Sequence, residues 1–414
     1  MKEPSAAPAG SNRPHPGWLL LVLVAAGHLA VINFPRILPL LGLDASGRWF
    51  IDSAAILAAA DAVRAGADPW KPNPLDFYGR PHCYSAWWLG LAATGITRDH
   101  NFLVGSLWAG AFLGSALFLL RPATAGGAAL AAAALLSPPV LLAVNRANND
   151  LVVFALLAIG LAPLTRDTVI RNALFTAAVT VATGLKFYPL AATAALLLRG
   201  PRARAWALAV ATAVVAGVAL ATSGIERALG TMPAPGGLHA FGMTVVLDLL
   251  ELSGPGARAA GGVILLGLAA AAAHRGLAPR CPSAGITAGP AQFAYVAGVA
   301  LLTACFLATG NYAYRLIFSL LLLPHLASPA SGKGGRATLI LLITLLWLDG
   351  LYCLALNATL GPRPPAEVAA GERLWLLATQ PVAWITMALL AASVLPLLRP
   401  TDETRRGRTD EVRA

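Results

Sequence analysis

Four short polar runs interrupt an otherwise apolar chain, and their residue types suit transfer of a group between an anion and a hydroxyl. The first, RWFIDSAAILAAADAVRAGADPW, carries Asp52 at the start of a helical stretch from Ile51 to Ala65, just after an apolar segment. A carboxylate there is favoured by the helix N-terminus and stays ionised, as a proton acceptor must. Plain capping is the simpler role for an isolated Asp, and only the company of the other runs argues for more. The second run, NRANNDLVVFALL, groups Asn145, Arg146, Asn148, Asn149 and Asp150, which suit sugar hydroxyls and interfacial solvation equally well.

The third run, GLKFYPLAATAALLLRG, holds Lys186 and Tyr188. A lysine within an apolar stretch costs about 2.5–3.5 kcal/mol unless it is paired or wet, so an anion is expected nearby. Snorkelling of its stem to the interface is the structural alternative. The fourth run, ATGNYAYRLIF, puts Asn311, Tyr312, Tyr314 and Arg315 between two apolar stretches. At least one of these tyrosines is expected in an interfacial aromatic belt, whereas Arg315 offers a fork matched to phosphate oxygens, and with Lys186 it would neutralise a phosphate. Asp349, in LLWLDGLYC, is a further acid in an apolar stretch, for which a cation partner is expected. His28 and His325 read as structural.

The elements that must position these runs are membrane helices. With 57% hydrophobic and 12% charged residues and a mean hydropathy of +0.69, the 414-residue chain has more apolar surface than a soluble core could bury. Apolar stretches of roughly 20 residues recur throughout and give an all-α, polytopic membrane protein of about ten to eleven transmembrane helices, with a long first outer loop carrying an amphipathic helix. Residues 1–16 form a disordered cytoplasmic tail, 17–398 a single transmembrane domain, and 399–414 a basic cytoplasmic tail. Pro138-Pro139 should break one stretch. A single helix from Asn172 to Leu198 would carry Arg199, Arg202 and Arg204 outside, against the positive-inside bias, so a reversal is expected at Lys186.

With both termini inside, about 17 Lys/Arg face about 6 Asp/Glu on the cytoplasmic side and about 13 face about 13 elsewhere. The difference equals the formal net charge of +11, so the basic residues report orientation and give no reason to expect nucleic acid. All four polar runs then emerge on the outer face. Cys83, Cys281, Cys305 and Cys353 have no zinc or CxxC spacing, and the chain lacks a P-loop, a dinucleotide fingerprint and HExxH.

In order and content, FIDSAAILAAADAVRAGADPW, NRANNDLVVFALL, GLKFYPLAATAALLLRG and GNYAYRLIF resemble segments of the multi-spanning GT-C glycosyltransferases, most closely family 87. The chain departs from that pattern at Ala147-Asn148-Asn149-Asp150 and at Tyr84-Ser85. The resemblance implies a GT-C-like fold in the plasma membrane and transfer of a hexose, mannose in that family, from a polyprenyl-phosphate donor to an envelope glycan or glycolipid acceptor. It implies Asp52 as general base, Lys186 and Arg315 on the donor phosphate, and Asn148, Asp150, Tyr188, Asn311, Tyr312 and Tyr314 around substrate. It calls for no cofactor and no metal. Beyond donor, acceptor and membrane lipids no partner is implied. A lipid or solute transporter that uses the same charges for binding is the alternative, and a non-catalytic assembly subunit is a third.

Overall fold

The computed structural model describes residues 16–43, 48–232, 238, 240–252, 254–282, 288–308, 311–360 and 365–398. The two expected tails lie almost wholly outside the described residues. The chain opens with α1 (Pro16–Asn33), the short α2 (Ile37–Leu40), the loop helix α3 (Ile51–Arg64) and α4 (Asn101–Leu120). Next come α5 (Ala125–Leu135), α6 (Pro138–Arg146), α7 (Asp150–Leu161), α8 (Val169–Leu185), α9 (Arg202–Ala221) and the small α10 (Ile225–Thr231). The remainder is α11 (Met243–Leu249), α12 (Pro255–His274), α13 (Pro290–Ala308), α14 (Leu323–Leu326), α15 (Gly332–Leu360) and α16 (Pro365–Leu398). The three longest 3₁₀ segments among the described residues are Ala86–Thr94, Tyr188–Leu198 and Ala313–Leu321, and two-residue strands β1 (Ala240–Phe241) and β2 (Asn311–Tyr312) pair antiparallel.

Trp18, Phe102, Val210, Val263 and Ile340 stand exposed on α1, α4, α9, α12 and α15. Such a girdle is unfavourable in water and suited to hydrocarbon, so this is a multi-pass membrane protein. Among the described residues seven helices are long and apolar enough to cross a bilayer, and an eighth crossing arises if α5 and α6, bent by 54°, form one span. The bend falls at Pro138-Pro139, as expected from proline's missing N–H and its clash with the preceding turn. The larger count of ten to eleven included stretches that fold as shorter helices, Asp150–Thr165, Val169–Leu185 and Tyr188–Leu198. It also included Leu316–Ala327, which is 3₁₀ through Leu321 followed by one α turn.

The reversal at Lys186 is present: α8 ends there with Lys186 extended at φ −158°, ψ 137°, and the 3₁₀ segment begins at Tyr188-Pro189. That segment packs against α13, α9 and α8, and α7 packs against α8 and α4. Gly184, two residues before the break, leaves room for the Trp87 ring; a Cβ there would lie 2.3 Å from the ring. Because the added methyl forces the indole to move and to give up its 3.1 Å hydrogen bond to the Thr222 hydroxyl, Gly184→Ala is expected to destabilise by about 1–3 kcal/mol. Thermal unfolding in detergent would check this, and an unchanged midpoint would mean that Trp87 moves freely.

The 20-residue α9 sets the two ends of the molecule about 30 Å apart. Just beyond its C-terminal end, Ser223 accepts the backbone N–H of Ala86 at 2.7 Å. At its start, Arg202 donates to the Pro396 carbonyl at 2.9 Å. Cys83, half-buried, belongs to the first end; Cys281, also half-buried, lies near Arg202 at the second; Cys305 and Cys353 are buried.

Candidate functional site

The site is assembled by chain segments that enter unusual backbone conformations just before their functional residues. Phe50 adopts φ 64°, a left-handed conformation that is costly for an aromatic residue, and its N–H donates to the Asn145 carbonyl at 2.7 Å. Ala147, at φ 43°, ends α6 in the same way. Together they hold the first turn of α3 against the α6–α7 corner.

Asp52 is buried there and does not cap its helix; α3 begins without a side-chain cap. Arg146 donates from Nε to Oδ2 at 3.1 Å and from Nη2 to Oδ1 at 2.8 Å. Asn148 donates to Oδ2 at 2.6 Å, and Arg80 Nη1 stands 3.7 Å from Oδ1. Burial opposes ionisation, but the charge and hydrogen bonds of Arg146, the hydrogen bond from Asn148 and the charge of Arg80 outweigh it. The Asp52 carboxyl is held below the usual range and is ionised.

Arg80 was not among the expected site residues. A loop built on Asp76 places it: that carboxylate accepts the N–H groups of Tyr78 and Arg80 at 2.9 and 3.0 Å and the Arg80 side chain at 2.9 and 3.0 Å. Arg80 also donates to the Ile51 carbonyl at 3.1 Å, tying the loop to α3. The available signal was the four-residue spacing of Asp76 and Arg80 in the polar stretch that follows the first run.

Lys186 is buried and spends all three of its N–H donors on the α6–α7 corner: Asn148 Oδ1 at 3.2 Å, Asn149 Oδ1 at 2.7 Å, and Asp150. The Tyr188 hydroxyl donates to the same Asp150 oxygen. Lys186 therefore does not snorkel, and the grip on a phosphate expected of it jointly with Arg315 is not what its donors offer. Arg315 is different. Its guanidinium lies 4.9 Å over the Tyr188 ring and 5.9 Å from the Phe187 ring, and its Nε and Nη1 are buried without a hydrogen-bond partner. Among the described residues it forms no ion pair.

These groups surround a cavity of about 250 Å³. Of the residues singled out in the sequence, Asp52, Lys186, Asn311, Tyr312, Tyr314 and Arg315 line it, and Arg80, Arg146, Tyr78, Cys83 and Tyr84 join them. One wall is apolar, made by Leu185 and Phe187 with Ile225 and Ala228 of α10 and Met232. Asn148, Asp150 and Tyr188 stand behind the wall and hold its charged members. Tyr312 and Tyr314 stack at 5.4 Å and 13° and both line the cavity, so neither is simply a belt residue. Asn311 donates to the Cys305 carbonyl. Asp349 lies elsewhere and accepts from Trp375 Nε1 at 2.9 Å; among the described residues it has no cation partner. His28 and His325 bond to the backbone carbonyls of Val24 and Arg280, as structural residues do. Among the described residues no group of three His, Cys, Asp or Glu is placed to hold a metal ion.

His82 supports the loop from behind. It bonds to the Ser85 carbonyl at 3.1 Å, meets Trp70 edge-on at 5.0 Å, and is pushed down to about 4 by burial. An imidazole with an ordinary value of 6.5 in the unfolded chain contributes stability above pH 6.5 that is lost as pH falls toward 4. From pH 8 to pH 5 the loss should be about 2 kcal/mol, and His82→Gln should remove that part of the acid sensitivity. Unfolding midpoints of both proteins across this range are the check.

Comparison with protein-family models, curated proteins and solved structures finds no match to this chain.

Proposed function

We propose that the protein is a membrane glycosyltransferase that moves a hexose, mannose by the family resemblance, from a polyprenyl-phosphate sugar to a glycan or glycolipid acceptor at the outer face of the plasma membrane. The observation that carries this reading is the juxtaposition, in one cavity, of an ionised carboxylate and a buried guanidinium with open donors, beside an apolar wall of Phe187, Ile225 and Met232. A proton acceptor, an anion site and an apolar surface are the three things a lipid-phosphate donor and a hydroxyl acceptor require.

The reaction is a single displacement. An acceptor hydroxyl attacks the anomeric carbon, the new C–O bond forms as the bond to the phosphate oxygen breaks, and the electron pair leaves with the polyprenyl phosphate. Arg315 stabilises the charge that grows on that phosphate. The hydroxyl proton passes to Asp52 through Oδ1, which accepts only one hydrogen bond in the resting site. A carboxylate held this low is a weak base. It suits a displacement in which the proton leaves late, after C–O bond formation has acidified it.

The test is incubation of the purified protein in lipid with radiolabelled polyprenyl-phosphate mannose and a panel of envelope glycolipids. Label should pass to at least one acceptor. Donor binding that depends on Arg315, with no transfer to any acceptor and vectorial movement of the lipid instead, would replace the enzyme by a transporter.

A further inference from the structure

The charged groups at the cavity do not balance. Asp52 is matched by Arg146, Asp76 by Arg80, and Asp150 by Lys186, at 2.8 Å, 2.9 Å and in direct contact respectively. Asp52, Asp76, Asp150, Lys186 and Arg315 are buried, and Arg80 and Arg146 are only about a fifth exposed. Three acids face four bases, and the surplus charge is on Arg315. The other titratable groups that line the cavity are one thiol, Cys83, and four phenols, Tyr78, Tyr84, Tyr312 and Tyr314, side-chain types that are ordinarily neutral between pH 5.5 and pH 8. His82 lies behind the loop and bonds to backbone.

An uncompensated buried charge is expensive, and it is equally expensive in either sign. One added negative charge closes the count, whereas two would leave a surplus anion among the same buried groups. From this count we infer that the site selects its anion by charge and retains a singly charged phosphodiester in preference to a doubly charged phosphomonoester. The inference rests on the proposed reaction for its meaning: a donor in which phosphate bridges lipid and sugar is a diester, and the spent carrier is a monoester. Cleavage itself keeps the balance, because the acceptor's proton neutralises Asp52 as the phosphate gains its second charge. Once Asp52 gives that proton to solvent, the carrier is a dianion the site no longer matches, and the mismatch drives it out.

Farnesyl methyl phosphate, a diester, and farnesyl phosphate, a monoester, would be titrated into the full-length protein in lipid nanodiscs at pH 5.5 and pH 8, with farnesyl dimethyl phosphate as neutral control. The diester should bind equally at both pH values, which also corrects for any titration of the protein. A monoester whose second ionisation lies near 6 should bind about 75-fold more weakly at pH 8 if its monoanion alone is accepted. Arg315→Met should abolish binding of both anions, and Arg315→Lys should keep the pH pattern at lower affinity. Asp150→Asn, by leaving Lys186 unmatched, should reverse the pattern, so that the monoester binds better at pH 8. Equal or tighter binding of the monoester at pH 8 in the wild-type protein would overturn the inference, as would binding of the neutral triester as tight as the diester. If Asp150→Asn does not fold, the wild-type and Arg315 titrations decide alone. Hexose transfer without this selectivity would remove the charge rule and keep the enzyme. Selectivity without transfer would do the reverse.

Discussion

Replacing Asp52 by Asn is expected to abolish hexose transfer and, in the same protein, to lower its stability. The first effect follows from chemistry: an amide keeps the size of the carboxylate but cannot take the acceptor's proton, and loss of a positioned base costs about 10²–10⁴ in rate. The second follows from the contacts. Arg146 places two hydrogen bonds on Asp52, and Arg80 stands 3.7 Å away, so the neutral side chain leaves both cations without their shared counter-charge. Breaking one partner out of a buried pair costs about 3–5 kcal/mol, and the low end applies because Arg146 keeps some contact with solvent. Asp52→Asn combined with Arg146→Met should recover much of the lost stability and none of the activity. Measuring transfer and unfolding in all three proteins separates the roles. Activity within tenfold of wild type in a folded Asp52→Asn protein would leave Asp52 as a structural counter-ion.

The second large effect concerns two cations that the sequence makes look alike. Lys186→Met should destabilise by about 3–5 kcal/mol, because it strands Asp150 as an unpaired buried charge. Arg315→Met should leave the ligand-free protein as stable as wild type or more so, since it removes a buried cation whose Nε and Nη1 have no partner. Donor affinity should show the opposite order, with the larger loss at Arg315. Adding Asp150→Asn to Lys186→Met should restore stability, as expected when both members of a buried pair are neutralised together. Thermal unfolding of the four proteins, with binding measured on those that fold, decides this. Equal destabilisation by both single changes would mean that Arg315, like Lys186, is held by the protein itself.

Why the two were indistinguishable beforehand is a question of range. Each is a cation in an apolar stretch with an aromatic neighbour, and sequence exposes that local cost but not the partner that offsets it. Asp150 stands 36 positions from Lys186, and the corner that brings them together depends on Ala147 adopting φ 43°, which an alanine does not advertise. The fold was more legible where the backbone itself carries the signal: Pro138-Pro139 marks the bend, and the arginines after Leu198 mark the reversal. Element number was less legible. Hydropathy cannot tell a full crossing from a shorter apolar helix, as α7 and α8 are. The apolar wall given by α10 lay in a stretch between Thr222 and Ala259 with no strong periodicity to place it.

The distribution of the four thiols has a practical consequence. Cys83 lines the cavity, Cys281 lies about one membrane thickness away beside Arg202, and Cys305 and Cys353 are buried, so the unaltered chain already carries one accessible reporter at each end. Burial pushes the Cys83 thiol up to about 11, which makes it slow toward maleimides and lets a bound ligand protect it further. With the cavity on the outer face, as proposed, an impermeant thiol reagent applied first to sealed cells and then to inverted vesicles would label Cys83 and Cys281 in turn, and the opposite orientation would reverse that order. The sidedness of the cavity and its occupancy can thus be read from one wild-type protein by peptide mass alone, without engineering a single residue.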